Sequence, residues 1–217
     1  KPTHALTFEM IGICKLKLKK NEEAIEYFTK AIDIEPLFLN AYINRTEAKE
    51  NIKDYKGAIE DCTKAIEIDS NDELLYLTRA FVKKKFNDYE GAIEDFTKFL
   101  EVIPESCLIL SDRGRAKYAF EDYKGAIEDF TKALEVCPQS SDYFRERGRS
   151  KNALKDFEGA IEDYSKAIKL GGKSFLTGYY FFNRGVSKYF LKDYEGAIND
   201  FTVTIDDRPL QSKNSLN

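Results

Sequence analysis

Chemistry needs nucleophiles, bases or metal ligands within reach of one another, and this chain offers few of them. Its one histidine is His4, which leaves His-based nucleophilic or general-base catalysis without a partner set. Cys14, Cys62, Cys107 and Cys137 include no C-x-x-C pair, so they read as reduced thiols of a cytoplasmic protein rather than as a metal site. The stretch "GGKS" at 171–174 matches the end of a phosphate loop, but Ala167 stands where the first glycine is required. "DSNDE" from Asp69 opens like a calcium loop, yet Leu74 and Ala80 hold the sites of its glycine and closing glutamate. It reads as an interhelix turn with capping acids. No cofactor, no metal and no enzymatic activity are expected. One constellation could hold a ligand. Arg145 and Arg149 lie four residues apart on one helix face, and Arg115 joins them from the repeat before. Such guanidinium groups grip a carboxylate or phosphate in fork geometry, here with Glu146 partly neutralising them.

The composition bounds what could position these residues. Of 217 residues, 42% are hydrophobic and 33% charged, enough apolar surface for a core and too little for a membrane protein. No apolar run reaches the ~18 residues of a membrane span, and no signal pattern opens the chain. A net charge of −4 argues against nucleic acid as a partner. The first residue is lysine, so a fragment or processed piece is expected.

The stretch "DYKGAIEDFTKALEVCP" from Asp122 has close copies at Asp54, Asp88, Asp156 and Asp193, and a looser one at Lys20. The shared alanine falls at Ala24, Ala58, Ala92, Ala126, Ala160 and Ala197, four steps of 34 and one of 37. Within a copy, Ala126, Ile127, Phe130, Ala133 and Leu134 follow the 3.6-residue period of an amphipathic helix. Asp122 sits where that helix needs an N-cap acceptor, and Pro138 where it must stop. Each copy therefore holds two helices of about a dozen residues.

Two further patterns recur. Arg45, Arg79, Arg113, Arg147 and Arg184 precede the marker alanine by thirteen, and Asp61, Asp95, Asp129, Asp163 and Asp200 follow it by three. The first copy has Ile11 and Tyr27, both changed together, so the two sites are expected to meet as a buried ion pair. Glu26, Glu60, Glu94, Glu128 and Glu162 each precede a lysine by four residues, which predicts i, i+4 pairs on a solvated face.

With a large residue, a small one four later, then Ala, aromatic, Ala and Pro (Leu110, Gly114, Ala126, Phe130, Ala133, Pro138), the chain resembles the tetratricopeptide repeat family. Phe144, Gly148, Ala160, Tyr164 and Ala167 repeat the pattern. The departures are Thr46 at the small site, Cys62 at the aromatic site, and Phe99 and Thr204 at the second alanine; a looser core is expected around Thr46 and Cys62. The resemblance implies an all-α fold, an α-solenoid of six helix-turn-helix repeats forming a right-handed superhelix. Its expected bounds are 5–38, 39–72, 73–106, 107–140, 141–177 and 178–211, one array over 5–208 between a flank at 1–4 and a flexible tail at 209–217.

The resemblance also implies a function: a non-enzymatic adaptor or scaffold binding a protein or peptide in a groove lined by the first helices. The alternative is the targeting arm of a larger enzyme, chaperone or secretion complex. Groove candidates are Ile43, Leu77 and Phe81 early, Arg115, Tyr118, Arg145, Arg149 and Asn152 centrally, and Tyr179, Phe182, Tyr189 and Phe190 late. Some family members clamp a chaperone C-terminal carboxylate with lysine and asparagine. Of Glu9, Ile13, Asn44, Leu74 and Thr78 at the matching sites, only Asn44 fits, and Ser111, Arg115, Glu146, Tyr179 and Asn183 fit poorly. In the sixth copy Asn199 and Val203 replace the Glu/Lys pair, and either further protein or a homodimer through this repeat is expected to cover it. No nucleic-acid partner and no membrane insertion are expected.

Overall fold

In a computed structural model of the chain, which describes residues 2–171 and 175–206, every regular element is an α-helix. Two compact units are formed, Lys1–Pro104 and Glu105–Asn217. The first holds α1 (Pro2–Lys17), α2 (Asn21–Ile34), α3 (Leu39–Asn51), α4 (Tyr55–Ile68), α5 (Glu73–Lys85) and α6 (Tyr89–Val102). The second holds α7 (Cys107–Ala119), α8 (Tyr123–Val136), α9 (Ser141–Ala153), α10 (Phe157–Gly171), α11 (Phe175–Phe190) and α12 (Tyr194–Asp206). Within each unit every helix packs on its neighbours in sequence, the helix-pair stacking of an α-solenoid. The lysine and serine of the "GGKS" stretch and residues 207–217 lie outside the described residues.

The turn inside each pair is built around one left-handed residue, six times over, and an aspartate cap follows it in all but the first pair, where Lys20 stands. Lys19, Lys53, Asn87, Glu121, Lys155 and Lys192 take the left-handed conformation, φ between 58° and 66°. That residue ends the first helix, and the next amide closes it: Asp122 N–H donates to the Lys117 carbonyl at 2.9 Å. The same aspartate then starts the second helix, its Oδ1 accepting from the Gly125 N–H at 2.9 Å. Asp54, Asp88, Asp156 and Asp193 repeat this cap. One residue thus terminates one helix and initiates the next.

Small residues let the paired helices touch. A Cβ on Gly12 would sit 2.6 Å from the Phe28 ring, and one on Gly185 would sit 2.8 Å from Phe201, so the aromatic of the second helix fills the space a side chain would need. In the second repeat the volumes are exchanged. Thr46 and Cys62 are both buried, with Oγ1 and Sγ 3.6 Å apart. Burial pushes the Cys62 thiol up to about 11, so it packs as a small hydrophobe.

The five arginine–aspartate pairs form, each bidentate. Arg113 Nε and Nη2 donate to the two Asp129 oxygens at 2.8 and 2.7 Å, and Arg45, Arg79, Arg147 and Arg184 copy this onto Asp61, Asp95, Asp163 and Asp200. The sequence reading missed two further members. Lys49, Lys83, Lys117, Lys151 and Lys188 bond the same aspartates at 2.8–3.0 Å. In addition, Arg45 and Arg79 reach Thr29 and Thr63 of the preceding repeat in one unit, and Arg147 and Arg184 reach Thr131 and Ser165 in the other. Each of these hydroxyls donates to the carbonyl four residues earlier. Burial alone would raise the Asp200 pKa, yet the hydrogen bonds from Arg184 and Lys188 hold it below the usual aspartate value.

Two expectations are corrected. Lys64 and Lys98 pair with Glu67 and Glu101, three residues onward, and not with Glu60 and Glu94; the flexible lysine stem reaches either neighbour on an exposed face at similar energy. The cysteines are not four reduced thiols: Cys107 and Cys137 form a disulfide, while Cys14 and Cys62 are free. An antiparallel pair brings the start of α7 beside the end of α8, so residues 30 apart in sequence come to a Cα separation of 6.3 Å. The bond removes the cysteine-based reason for expecting a cytoplasmic protein.

Three outcomes follow for stability. Asp129→Ala leaves the partly buried Arg113 and Lys117 without this anion and is expected to cost about 3 kcal/mol in urea unfolding. Glu121→Gly relieves a left-handed residue that carries a Cβ and is expected to gain about 1 kcal/mol in the same assay. Reducing the Cys107–Cys137 bond, which closes a 30-residue separation, is expected to cost about 3–4 kcal/mol. That loss should fall on the α7–α12 unit and spare α1–α6, as read by hydrogen exchange with and without reductant.

Candidate functional site

The first helices of the second unit, α7, α9 and α11, carry most of the residues with unspent chemistry. Their charged centre is Glu146 on α9, which is 5% exposed. Its Oε1 accepts from Arg115 Nε at 3.1 Å and from Arg145 Nη2 at 2.8 Å, and its Oε2 lies 3.8 Å from Arg149. Asp142, one turn earlier, accepts from both Arg115 and Arg145 in short ion pairs. Asp112 lies 3.8 Å from Arg115. Three arginines therefore face three carboxylates.

This corrects the expectation of a joint cationic patch. Arg115 and Arg145 are consumed by Asp142 and Glu146 and tie α7 to α9. Burial alone would lower the Arg145 pKa, but Asp142 and Glu146 keep it raised. Arg149 is different. Its side chain is 46% exposed, its one ionic contact among the described residues is the 3.8 Å approach to Glu146, and its guanidinium lies 4.1 Å over the centre of the Tyr118 ring. Such a contact attracts the cation to the ring face, and the half-exposed side chain remains reachable from solvent.

The neighbouring rings complete the surface. Arg145 sits 5.9 Å over Tyr179, which is exposed, as is Phe182. Phe182 leans on Phe201 of α12, with 5.7 Å between ring centres. Asn152 accepts from the Ser187 hydroxyl at 2.8 Å, linking α9 to α11. Tyr189 and Phe190 pack on rings of the second helices, Tyr194 and Phe157, so they form a ring cluster of their own. Both remain more than half exposed.

In the first unit, Phe81 meets Phe96 edge-on at 5.3 Å and is partly core. Leu77 is half-buried, and Ile43 is exposed. Asn44 donates to Glu9 at 3.1 Å. The residue that best matched a carboxylate clamp is thus already engaged by a carboxylate of the protein itself. Burial raises the Glu9 pKa, with the Asn44 bond opposing it.

Sequence reasoning passed over Tyr164. It holds the aromatic site of its repeat, where Phe28, Phe96, Phe130 and Phe201 stand elsewhere. Its ring packs at Gly148 on α9 and is 1% exposed. Burial, with Tyr179 next in weight, pushes its pKa well up, so it stays a neutral O–H donor. The signal was a single hydroxyl added where the repeat uses phenylalanine.

Stacked helix pairs with this spacing define a class, and the comparisons with known proteins agree on it. Sequence profiles of the tetratricopeptide repeat match residues 7–36, 39–72 and 111–175, together more than half of the chain. The chain belongs to the tetratricopeptide repeat family, whose members are protein–protein interaction modules. No curated protein matches it. Among solved structures, a crystal structure of MamA is similar, at 19% identity and a TM-score of 0.74, over 82% of this chain and 96% of that one. MamA from residue 41 to its end, from Desulfovibrio magneticus RS-1, is 21% identical with a TM-score of 0.69, over 77% and 95%. YrrB, described as a TPR protein with an unusual peptide-binding site, is 21% identical with a TM-score of 0.68, over 85% and 93%. At these identities the likeness speaks for the fold. Among the described residues, no helix is long and apolar enough to cross a membrane.

Proposed function

We propose that this chain is a non-enzymatic adaptor that binds a peptide segment of a partner protein along the first helices of its second unit, α7, α9 and α11. The observation that carries this reading is an exposed arginine, Arg149, stacked on Tyr118 while Tyr179 and Phe182 stand exposed on α11. Aromatic and arginine side chains supply most of the energy at protein interfaces, because they bury large area at small entropic cost and offer directed donors. The network around Glu146 holds α7 and α9 together before any ligand arrives, so little is lost to ordering on binding. The likeness to YrrB, a fold-level one, is consistent with a peptide as ligand. In the first unit, Ile43, Leu77 and Phe81 offer a weaker, more apolar continuation of the same reading.

A second reading concerns self-association. On α12, Tyr194, Ile198 and Ile205 are 54%, 63% and 60% exposed. Such a face supports the homodimer expected from the sequence, and light scattering would report it.

The peptide reading is tested by selection from a displayed random peptide library with the full chain as bait. Selected peptides are expected to share an apolar anchor and to lose at least about tenfold in affinity for the Tyr179→Ala/Phe182→Ala variant, a loss of about 1.4 kcal/mol. The variant should melt as the parent does, as read by circular dichroism. Selected peptides that bind parent and variant equally would contradict the assignment.

A further inference from the structure

Each helix pair of the first unit turns at one end of its helices and joins the next pair at the other, so the unit has two edges about 20 Å apart, one helix length. The edges differ in charge. The turns inside the pairs, residues 15–23, 49–57 and 83–91, hold ten lysines and six acids. The turns between pairs, 32–40 and 66–74, hold six acids and no lysine or arginine. Hydrogen bonds set the lysine-rich turns side by side: Asn51 Nδ2 donates to Asn21 Oδ1 at 3.2 Å, and Lys85 Nζ donates to Glu50 at 3.0 Å. Four of the six acids on that edge are engaged within the protein. Glu23 holds Lys15 and Lys20, Glu50 holds Lys85, and Asp54 and Asp88 cap α4 and α6. Lys17, Lys19, Lys53 and Lys56 stand exposed. Among them stand Leu18, Ile52 and Phe86, one beside the left-handed residue of each turn and all exposed, Leu18 by 67%.

The helix dipole alone favours cations at the ends of α1, α3 and α5. The second unit ends its first helices at the same kind of turn, however, and there residues 117–125, 151–159 and 188–196 hold six lysines and six acids. The fold therefore does not require the excess. We propose that the lysine edge of the first unit docks on the surface of an anionic lipid bilayer, with Leu18, Ile52 and Phe86 set into the boundary between headgroups and acyl chains. An exposed apolar side chain gains only where a nonpolar phase receives it. A bilayer boundary offers that phase and negative charge together, which matches apolar residues interleaved with lysines. A nucleic acid would take the lysines and leave the three apolar side chains in water. Charge also selects the edge. The far edge exposes Ile34 and Leu37, but among acids that an anionic surface repels. The docking needs no membrane-crossing helix and draws on the first unit only, so it does not rest on the peptide reading.

The test is co-sedimentation of the full chain with vesicles of phosphatidylcholine alone and of phosphatidylcholine mixed with phosphatidylserine. The protein is expected to bind the mixed vesicles, to stay in solution with phosphatidylcholine alone, and to bind less as salt rises. Lys19→Asn/Lys53→Asn keeps a residue type that accepts the left-handed conformation, and should weaken binding about tenfold or more. Leu18→Ser/Phe86→Ser should weaken it by a similar factor, about tenfold, through lost insertion. Ile34→Ser/Leu37→Ser on the far edge should leave it unchanged. All three variants alter exposed side chains and are expected to melt as the parent does, as read by circular dichroism. Equal binding to both vesicle types, indifference to both lysine-edge variants, or an equal loss from the far-edge variant would each overturn the assignment. So would a DNA duplex that displaces the vesicles and depends on Lys19 and Lys53 but not on Leu18 and Phe86.

Discussion

A buried aspartate holding two cations is the interaction on which the rest of this structure depends. In each of five repeats, a carboxylate on the second helix accepts two bonds from an arginine and one from a lysine of the first helix. Such a group is a poor source of raw stability, because desolvation offsets most of the Coulomb gain. Its value lies in geometry. The guanidinium fork fits one carboxylate in one orientation, so the register and rotation of the two helices are set together. The third arginine nitrogen then reaches a hydroxyl of the preceding repeat, within each unit where both partners lie there. Pair geometry and stacking geometry are therefore coupled through a single side group.

That coupling decides which residues are free for binding. Five arginines are structural, each spent in a bidentate bond to its aspartate. Arg115 and Arg145 fall to a second, non-repeating network around Glu146, which ties α7 to α9. Arg149 meets the second network only at its 3.8 Å approach to Glu146 and lies on Tyr118. The surface that could read a partner is what remains after the fold has consumed its charges: the exposed Arg149 and several exposed rings.

Much of this was legible in the sequence for physical reasons. The 34-residue spacing, the capping aspartates and the joint recurrence of arginine and aspartate each express a constraint repeated at fixed intervals, and repetition makes a constraint visible. The lysine four residues after each arginine repeats too, but lysine on a helix so commonly faces solvent that it drew no notice. What does not repeat was hidden. Asp142 and Glu146 reach Arg145 within α9, but their bonds to Arg115 of α7 arise only when neighbouring pairs stack. The Cys107–Cys137 bond was missed because thirty residues separate partners that the hairpin places side by side. Tyr164 looked like one more aromatic, although its hydroxyl is what sets that repeat apart.

The account turns on a division of labour among arginines, and guanidinium exchange measures it directly. In a ¹⁵N spectrum of the arginine side groups, the Nε–H protons of Arg45, Arg79, Arg113, Arg147 and Arg184 should exchange slowly with water, because each is buried against an aspartate oxygen. Arg149 should exchange at the rate of a solvated group. Uniform fast exchange across the five, or an Arg149 as protected as Arg113 without ligand, would contradict the account.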